Sequence, residues 1–401
     1  MRIQLEDCSG HAFTVQLARA LAARGHEVLY TYATQWNSGR GRLSRADDDP
    51  DGLTISGITA QRPYEKYSPV ARTRWEISYA RAWRELLRRN PRDVVIACNT
   101  QLFVAASMQR HLRKTGKPFV YWHQDISSLA IGDEAARRLP KVVVPTVARL
   151  VEKLERALVR DSAGVVAIGE PFVKQYQRWG LTTDHVRLLP NWGPLEEISP
   201  APRDNTWSKA HGLADSGLRL LYAGTLGRKH NPHLLLDLVD RCRQAGLDAS
   251  LLVVSEGAGA NELATAAQGR PYVTVLPYQP VETLSETLAC GDVLVALLEP
   301  EASQFSVPSK ILAYLCAGRP VLALAPDSNP CRVDVLAGGG LMAHPDGEGV
   351  NSAVEWLRTL ANNPQRRASI GTRARSHAEE TFGLEVIADQ FEQILQDAGV
   401  R

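Results

Sequence analysis

One rhythm limits what this chain can fold into: short apolar segments alternate with amphipathic helical ones, the alternation runs twice, and a proline-rich stretch interrupts it once. Residues 2–7 (RIQLED) precede a helix over 13–25, where Val15, Leu17, Ala18 and Leu21 share a face and Gly25 stands where a helix stops. A strand over 26–32 follows, then a Gly/Arg/Asp-rich loop over 37–52. Trp75, Tyr79, Trp83 and Leu86 stand at helical spacing within 70–89, and strands 93–98 and 118–122 flank a helix over 101–115. A helix over 147–160 and a strand over 164–169 complete the first run. Residues 190–205 (PNWGPLEEISPAPRDN) carry the interruption. Strands 218–224, 249–255, 272–277, 292–298 and 320–325 then alternate with helices over 232–245, from 261, over 281–290 and over 308–317. Strands and helices in this order imply parallel, doubly wound sheets. The chain reads as an α/β protein of two Rossmann-like domains, 1–195 and 217–380, joined by a linker over 196–216. A terminal helical segment over 381–401 is free to return to the first domain. Facing strand ends imply a cleft, where open α/β sheets bind ligands.

Composition narrows the function. With 401 residues, 44% of them hydrophobic and 22% charged, the chain has material for two cores and none of the bias of disordered or fibrous proteins. Its longest apolar runs, such as 293–298, are far short of the ~20 residues a membrane span needs, and no apolar leader opens it. A cytoplasmic protein is expected, at most peripheral at the membrane. The six cysteines, at 8, 98, 242, 290, 316 and 331, have no metal-site or paired spacing and read as reduced, buried thiols. Residues 1–200 hold 29 Lys/Arg against 21 Asp/Glu, and 201–401 hold 17 against 23. A basic first half points to an anionic partner there, though not to nucleic acid.

Candidate chemistry gathers at strand ends. Strand 218–224 runs into Thr225-Leu226-Gly227-Arg228-Lys229, where glycines let backbone approach phosphate oxygens and the basic side chains offset their charge. Segment 306–315 sets Ser306, Pro308, Ser309 and Lys310 at a helix start, so free amides, hydroxyls and an ammonium converge. Two such sites on adjacent strands suit a diphosphate, and the same residues also suit two capped helices with solvated charges. Glu256 and Gly257 open a turn resembling half a dinucleotide fingerprint, and Tyr278 follows the next strand in place of a ribose-binding acid. In the first half, Gly10-His11 separates strand from helix, and His123-Gln124-Asp125 closes strand 118–122, where an imidazole and a carboxylate suit an acceptor hydroxyl. Asp47-Asp48-Asp49 lies in a polar loop rather than on a strand and reads as solvated charge, so no metal site is expected. Helix 70–89 carries arginines opposite its aromatic stripe, read as a solvated face or a contact for anionic lipid.

Taken together, 17–28 (LARALAARGHEV), Gln124-Asp125, 187–198 (RLLPNWGPLEEI), 221–238 (LYAGTLGRKHNPHLLLDL), 307–321 (VPSKILAYLCAGRPV) and 373–383 resemble the retaining family 4 glycosyltransferases of GT-B fold, in particular the bacterial polysaccharide branch of colanic-acid and O-antigen type. The resemblance spans nearly the whole chain. It implies a sugar moved from a nucleotide-diphosphate donor to an acceptor hydroxyl, without cofactor or metal. It implies Lys229 on the diphosphate, Ser309 and Lys310 in the donor loop, Glu256 to Gly259 and Tyr278 beside ribose and base, and Gly10-His11 approaching the pyrophosphate. The chain departs from the family pattern at Phe305 and Ala313, where two glutamates are usual, at Thr225, where arginine is usual, and at His11 and Gln124. A sugar-nucleotide epimerase and a non-catalytic nucleotide- or glycan-binding protein are the alternatives.

Overall fold

The computed structural model describes residues 1–36, 41–65, 68–138, 140–213, 217–226, 231–298 and 309–399. The chain forms two compact units: Met1–Asn191 with Leu384–Arg401, and Trp192–Gly383.

The first unit is built on seven strands: β1 (Arg2–Asp7), β2 (Glu27–Ala33), β3 (Leu53–Ile58), β4 (Val94–Cys98), β5 (Phe119–His123), β6 (Gly164–Ala167) and β7 (Val186–Leu188). Their order is β3-β2-β1-β4-β5-β6-β7, parallel throughout, with Leu5 opposite Tyr30 on one side and Ile96 on the other. β4 and β5 are buried along their whole length, as strands covered on both faces must be. The order reverses between β1 and β4, which makes their carboxyl ends the ligand-binding point of such a sheet. Trp75, Tyr79 and Trp83 of the helix Pro69–Arg89 are fully buried, whereas Leu86 is partly buried and Leu87 takes the inward place.

The last helix, Leu384–Asp397, completes this unit. Phe391 is fully buried with its ring 4.8 Å from that of Trp122, and Arg24 donates to Glu385, Asp389 and Glu392. His26 Nε2 and Glu392 lie 2.7 Å apart, and Arg187 donates to Asp397 at 2.8 Å.

The second unit repeats the plan with β8 (Leu218–Ala223), β9 (Ala249–Val254), β10 (Val273–Leu276), β11 (Val293–Leu297), β12 (Val321–Leu324) and β13 (Leu341–Ala343). Their order, β10-β9-β8-β11-β12-β13, is again parallel and reverses between β8 and β11. Leu220, Tyr222, Val253, Val295 and Leu322 meet Leu235, Val239, Leu357 and Leu360 of the covering helices in its core. All six cysteines are buried and free.

The sequence reading overlooked β3, β7 and β13, each short or broken by exposed and small residues. It also misjudged Asp49. That carboxylate is 4% exposed and paired with Arg19 at 2.6 Å, while Arg19 also donates to the carbonyls of Arg42 and Ser44. Asp49 is therefore a brace for the 41–50 loop, and only Asp47 and Asp48 are solvated. Among the described residues, no helix is long and apolar enough to cross a membrane.

Candidate active site

In the second unit the switch point is organised by Lys310. The helix Ser309–Cys316 buries Ile311, Leu312 and Leu315, and Tyr314 fixes it to the sheet. The Tyr314 hydroxyl donates to the Ala223 carbonyl and accepts from the Ala223 amide, both at 2.9 Å. One turn earlier on the same face, Lys310 is thereby laid across the carboxyl end of β8. Its Nζ donates to the Tyr222 hydroxyl, which in turn donates to the Thr225 carbonyl at 2.9 Å. Gly224 sits at φ 132°, and a Cβ there would stand 3.2 Å from Lys310 Cε, so glycine leaves the lysine its path. No carboxylate among the described residues pairs with Lys310, and burial alone lowers its pKa to about 7. A desolvated ammonium with no counter-charge among the described residues is chemically able to take an anionic group.

The flanking turns close on the same point. Thr225 and Tyr278 are hydrogen-bonded through their hydroxyls, and burial followed by the nearby Glu256 charge raises the Tyr278 pKa. The Leu226 amide donates to Ser255 Oγ at 3.0 Å and to the Glu256 carbonyl at 3.2 Å. Gly257, at φ 110°, caps the helix Ala258–Ala266, whose Gly259 amide donates to the Leu226 carbonyl. Thr225, Glu256, Gly257, Tyr278, Ser309 and Lys310 are thus brought together at the ends of β8–β10. Arg228, Lys229, Ser306 and Pro308 lie outside the described residues.

In the first unit the switch point is organised by Asp7, which the sequence reading missed. Asp7 is fully buried and accepts from the amides of Ser9 (2.9 Å) and His11 (2.8 Å) and from Thr14 Oγ1 (2.6 Å). Burial pushes its pKa up, but these donors and the neighbouring His11 outweigh that, and the net shift is downward. Asp7 thereby moulds the Gly10 turn. Gly10 takes φ 73°, and a Cβ there would meet Leu43 Cδ1 at 2.9 Å. His11 Nδ1 stands 3.6 Å from Asp7. Burial works against its imidazolium, yet Asp7 and, next, Asp125 raise its pKa.

His123 requires a correction. It is fully buried, with Nδ1 2.7 Å from the Tyr176 hydroxyl and Nε2 3.2 Å from Glu155 Oε1, so neither ring nitrogen is open to a substrate hydroxyl. Glu155, equally buried, accepts from the amides of Ser127 (2.7 Å) and Ser128 (3.0 Å). His123 therefore acts through Glu155 on the turn that displays the exposed Asp125. Gln124 exchanges two hydrogen bonds with Asn191, at 3.0 and 2.6 Å. Asn99, at φ 46° just after β4, is the one non-glycine residue with positive φ among the described residues. The polar Asn99-Thr100-Gln101 run after an apolar strand was the signal that would have found it.

Two Rossmann-like units, each with a polar switch point, are the architecture of GT-B glycosyltransferases. Residues 10–192 match the model of a glycosyl transferase 4-like domain, and residues 217–359 that of glycosyl transferases group 1. The chain is 23% identical over 401 residues to the putative colanic acid biosynthesis glycosyl transferase WcaI of Escherichia coli, covering 94% of both. It is 27% identical over 217 residues to a GDP-mannose-dependent mannosyltransferase of Corynebacterium glutamicum, covering 52% of this chain and 55% of that one. Among solved structures it resembles a sucrose-phosphate synthase of Thermosynechococcus elongatus (TM-score 0.75, 16% identity, 99% and 98% covered). It also resembles HepE of Anabaena in complex with UDP and glucose (TM-score 0.70, 15% identity, 99% of both covered). The chain belongs to the family 4 glycosyltransferases of GT-B fold, and it is an enzyme of the hexosyltransferase type.

Proposed function

We propose that this enzyme transfers a hexosyl unit from a nucleotide-diphosphate sugar to an acceptor hydroxyl with retention of anomeric configuration, in the synthesis of a polysaccharide or glycoconjugate. The observation that carries the reading is Lys310, desolvated at the end of β8 with no counter-charge among the described residues. The relative named for colanic acid biosynthesis and the neighbour solved with UDP and glucose support it. In this reading Lys310, with Lys229, Arg228, Ser306, Pro308 and Ser309, takes the charge of the leaving diphosphate, and no metal is called for. Glu256, Gly257 and Tyr278 flank the nucleoside. Asp125 serves the acceptor and Gly10-His11 the pyrophosphate, and the departing phosphate oxygen accepts the acceptor's proton on the face the sugar leaves.

Thermal stabilisation by UDP, GDP, dTDP and ADP, alone and as sugar conjugates, tests the donor assignment. A shift for one base, lost in Lys310→Ala, is the expected result. Product analysis then reads transfer and anomeric configuration. Binding without turnover, or conversion of the nucleotide sugar with no acceptor present, would replace the transferase reading.

We further propose peripheral attachment to an anionic membrane surface. The arginine helix supports it less than its composition promised, since Arg72, Arg88 and Arg89 pair with Glu76 and Glu85 of the same helix. The better support is the stretch around Val144–Asp161, where Val142 (84%) and Leu150 (68%) are exposed beside exposed Lys141, Arg149 and Lys153. Co-sedimentation with phosphatidylglycerol vesicles, lost in Val142→Asp/Leu150→Asp, tests this.

A further inference from the structure

Beside the first unit's switch point lies a cluster that the donor chemistry does not use. Gln35 Oε1 accepts from the Trp75 indole at 3.0 Å and from the Ala60 amide at 3.1 Å, which ties the end of β2 to the end of β3. On this frame the partly exposed rings of Trp36 and Tyr64 stand 4.4 Å apart, and Tyr64 meets buried Trp75 edge-on at 5.0 Å. Next to Trp75 in the chain, Glu76 is 4% exposed. Its Oε1 accepts from Arg72 at 3.0 Å, but its Oε2, shut off from water, has no hydrogen-bond partner among the described residues. Arg72, 37% exposed at its side chain, also donates to Gln101 Oε1. The Gln101 amide in turn reaches Cys8, three residues before His11.

A buried carboxylate oxygen without a donor is destabilising, so its persistence calls for a reason. The cluster's charges cancel within the Arg72–Glu76 pair, which leaves little attraction for a phosphate. A hydrocarbon chain would strip water from Arg72 and Gln101 and return nothing. A neutral polyol ring meets both demands: its C–H face lies on aromatic carbon, and its hydroxyls donate to the carboxylate and accept from the guanidinium. We infer that Trp36, Tyr64, Arg72, Glu76 and Gln101 form a pyranose subsite for the acceptor, entered by displacing the flexible end of Arg72. The acceptor would then present a sugar, not a bare lipid, to the first unit. This rests on the transferase reading for its role and not for its binding chemistry.

Saturation-transfer NMR on the full chain with the methyl glycosides of glucose, galactose, mannose and N-acetylglucosamine, and with octyl phosphate, tests the subsite. At least one glycoside should give ring-proton signals that fall about fivefold or more in both Trp36→Ala and the near-isosteric Glu76→Gln. The first unit's own thermal transition and the far-UV circular dichroism should be unchanged in both variants, which shows that unit folded. Absence of glycoside signals, their survival in both variants, or signals from octyl phosphate alone would overturn the subsite. Absence of nucleotide stabilisation in the unmodified protein would instead strike the donor reading, and the glycoside signals would still decide the subsite.

Discussion

Burial holds the side chains of Lys310 and Glu6 away from their ordinary titration ranges. A lysine held near pKa 7 is charged at a cost throughout the neutral range, because the unfolded chain keeps it protonated up to about 10.4. Lys310→Met should raise the melting temperature at pH 7 while weakening nucleotide affinity roughly tenfold or more, the worth of a charge-assisted contact. Calorimetry with thermal melts reads both, and a variant that loses stability together with affinity would contradict it. Glu6 lies on β1 with no cation beside it among the described residues. Burial raises its pKa to about 7, against hydrogen bonds from Thr31 and Tyr79. The folded state therefore holds this proton where the unfolded chain has released it. Its contribution is full below the ordinary carboxylate range and is lost as pH rises through 7. Melts from pH 5.5 to 8.5 should show Glu6→Gln gaining on the natural protein as pH increases. A constant gap would mean that Glu6 stays ionised in the fold.

Elements set which of these residues meet. The turn after β5 is held by a relay from Tyr176 through His123 and Glu155 to the Ser127 and Ser128 amides. His123→Gln should lower kcat on the order of 100-fold by moving Asp125, with donor affinity intact. An unchanged kcat would show that the relay serves stability alone. The sheets were legible in the sequence because β4, β5, β9 and β11 are apolar runs bounded by turn residues. Strand ends were legible too: Gly10, Thr225, Glu256, Tyr278 and Asp125 are polar or small residues placed where an apolar run stops. Tyr222 and Tyr314 were not: each sits inside a segment that reads as core, and its role exists only through partners distant in the chain, Lys310 for Tyr222 and Ala223 for Tyr314. Asp7 closes β1 and was missed although its partners Ser9, His11 and Thr14 are local, because nothing in the spacing says that its carboxylate turns inward. His123 failed for the complementary reason: position at a strand end cannot tell a ring facing solvent from one facing Glu155.

The whole molecule divides its labour between units that the chain crosses twice, after Asn191 and after Gly383. A nucleotide held within Trp192–Gly383 should stabilise that unit alone. A calorimetric scan should resolve two transitions, of which the cognate nucleotide moves one. One transition moving as a whole would refute this independence. Phe391→Ala should lower the other by about 3–5 kcal/mol, the usual cost of emptying such a site, and urea unfolding followed by tryptophan fluorescence would read it. The double crossing also has a consequence during synthesis. The part of the protein that leaves the ribosome first is the last to be finished, because its closing helix is encoded about 190 residues later. At roughly 5–20 residues per second its sheet waits some tens of seconds without Phe391 over Trp122. The unit made second is complete in the chain, at Gly383, before the unit made first is. A message cut short just before Leu384 would therefore encode all of Trp192–Gly383 and leave the first unit without Phe391 over Trp122.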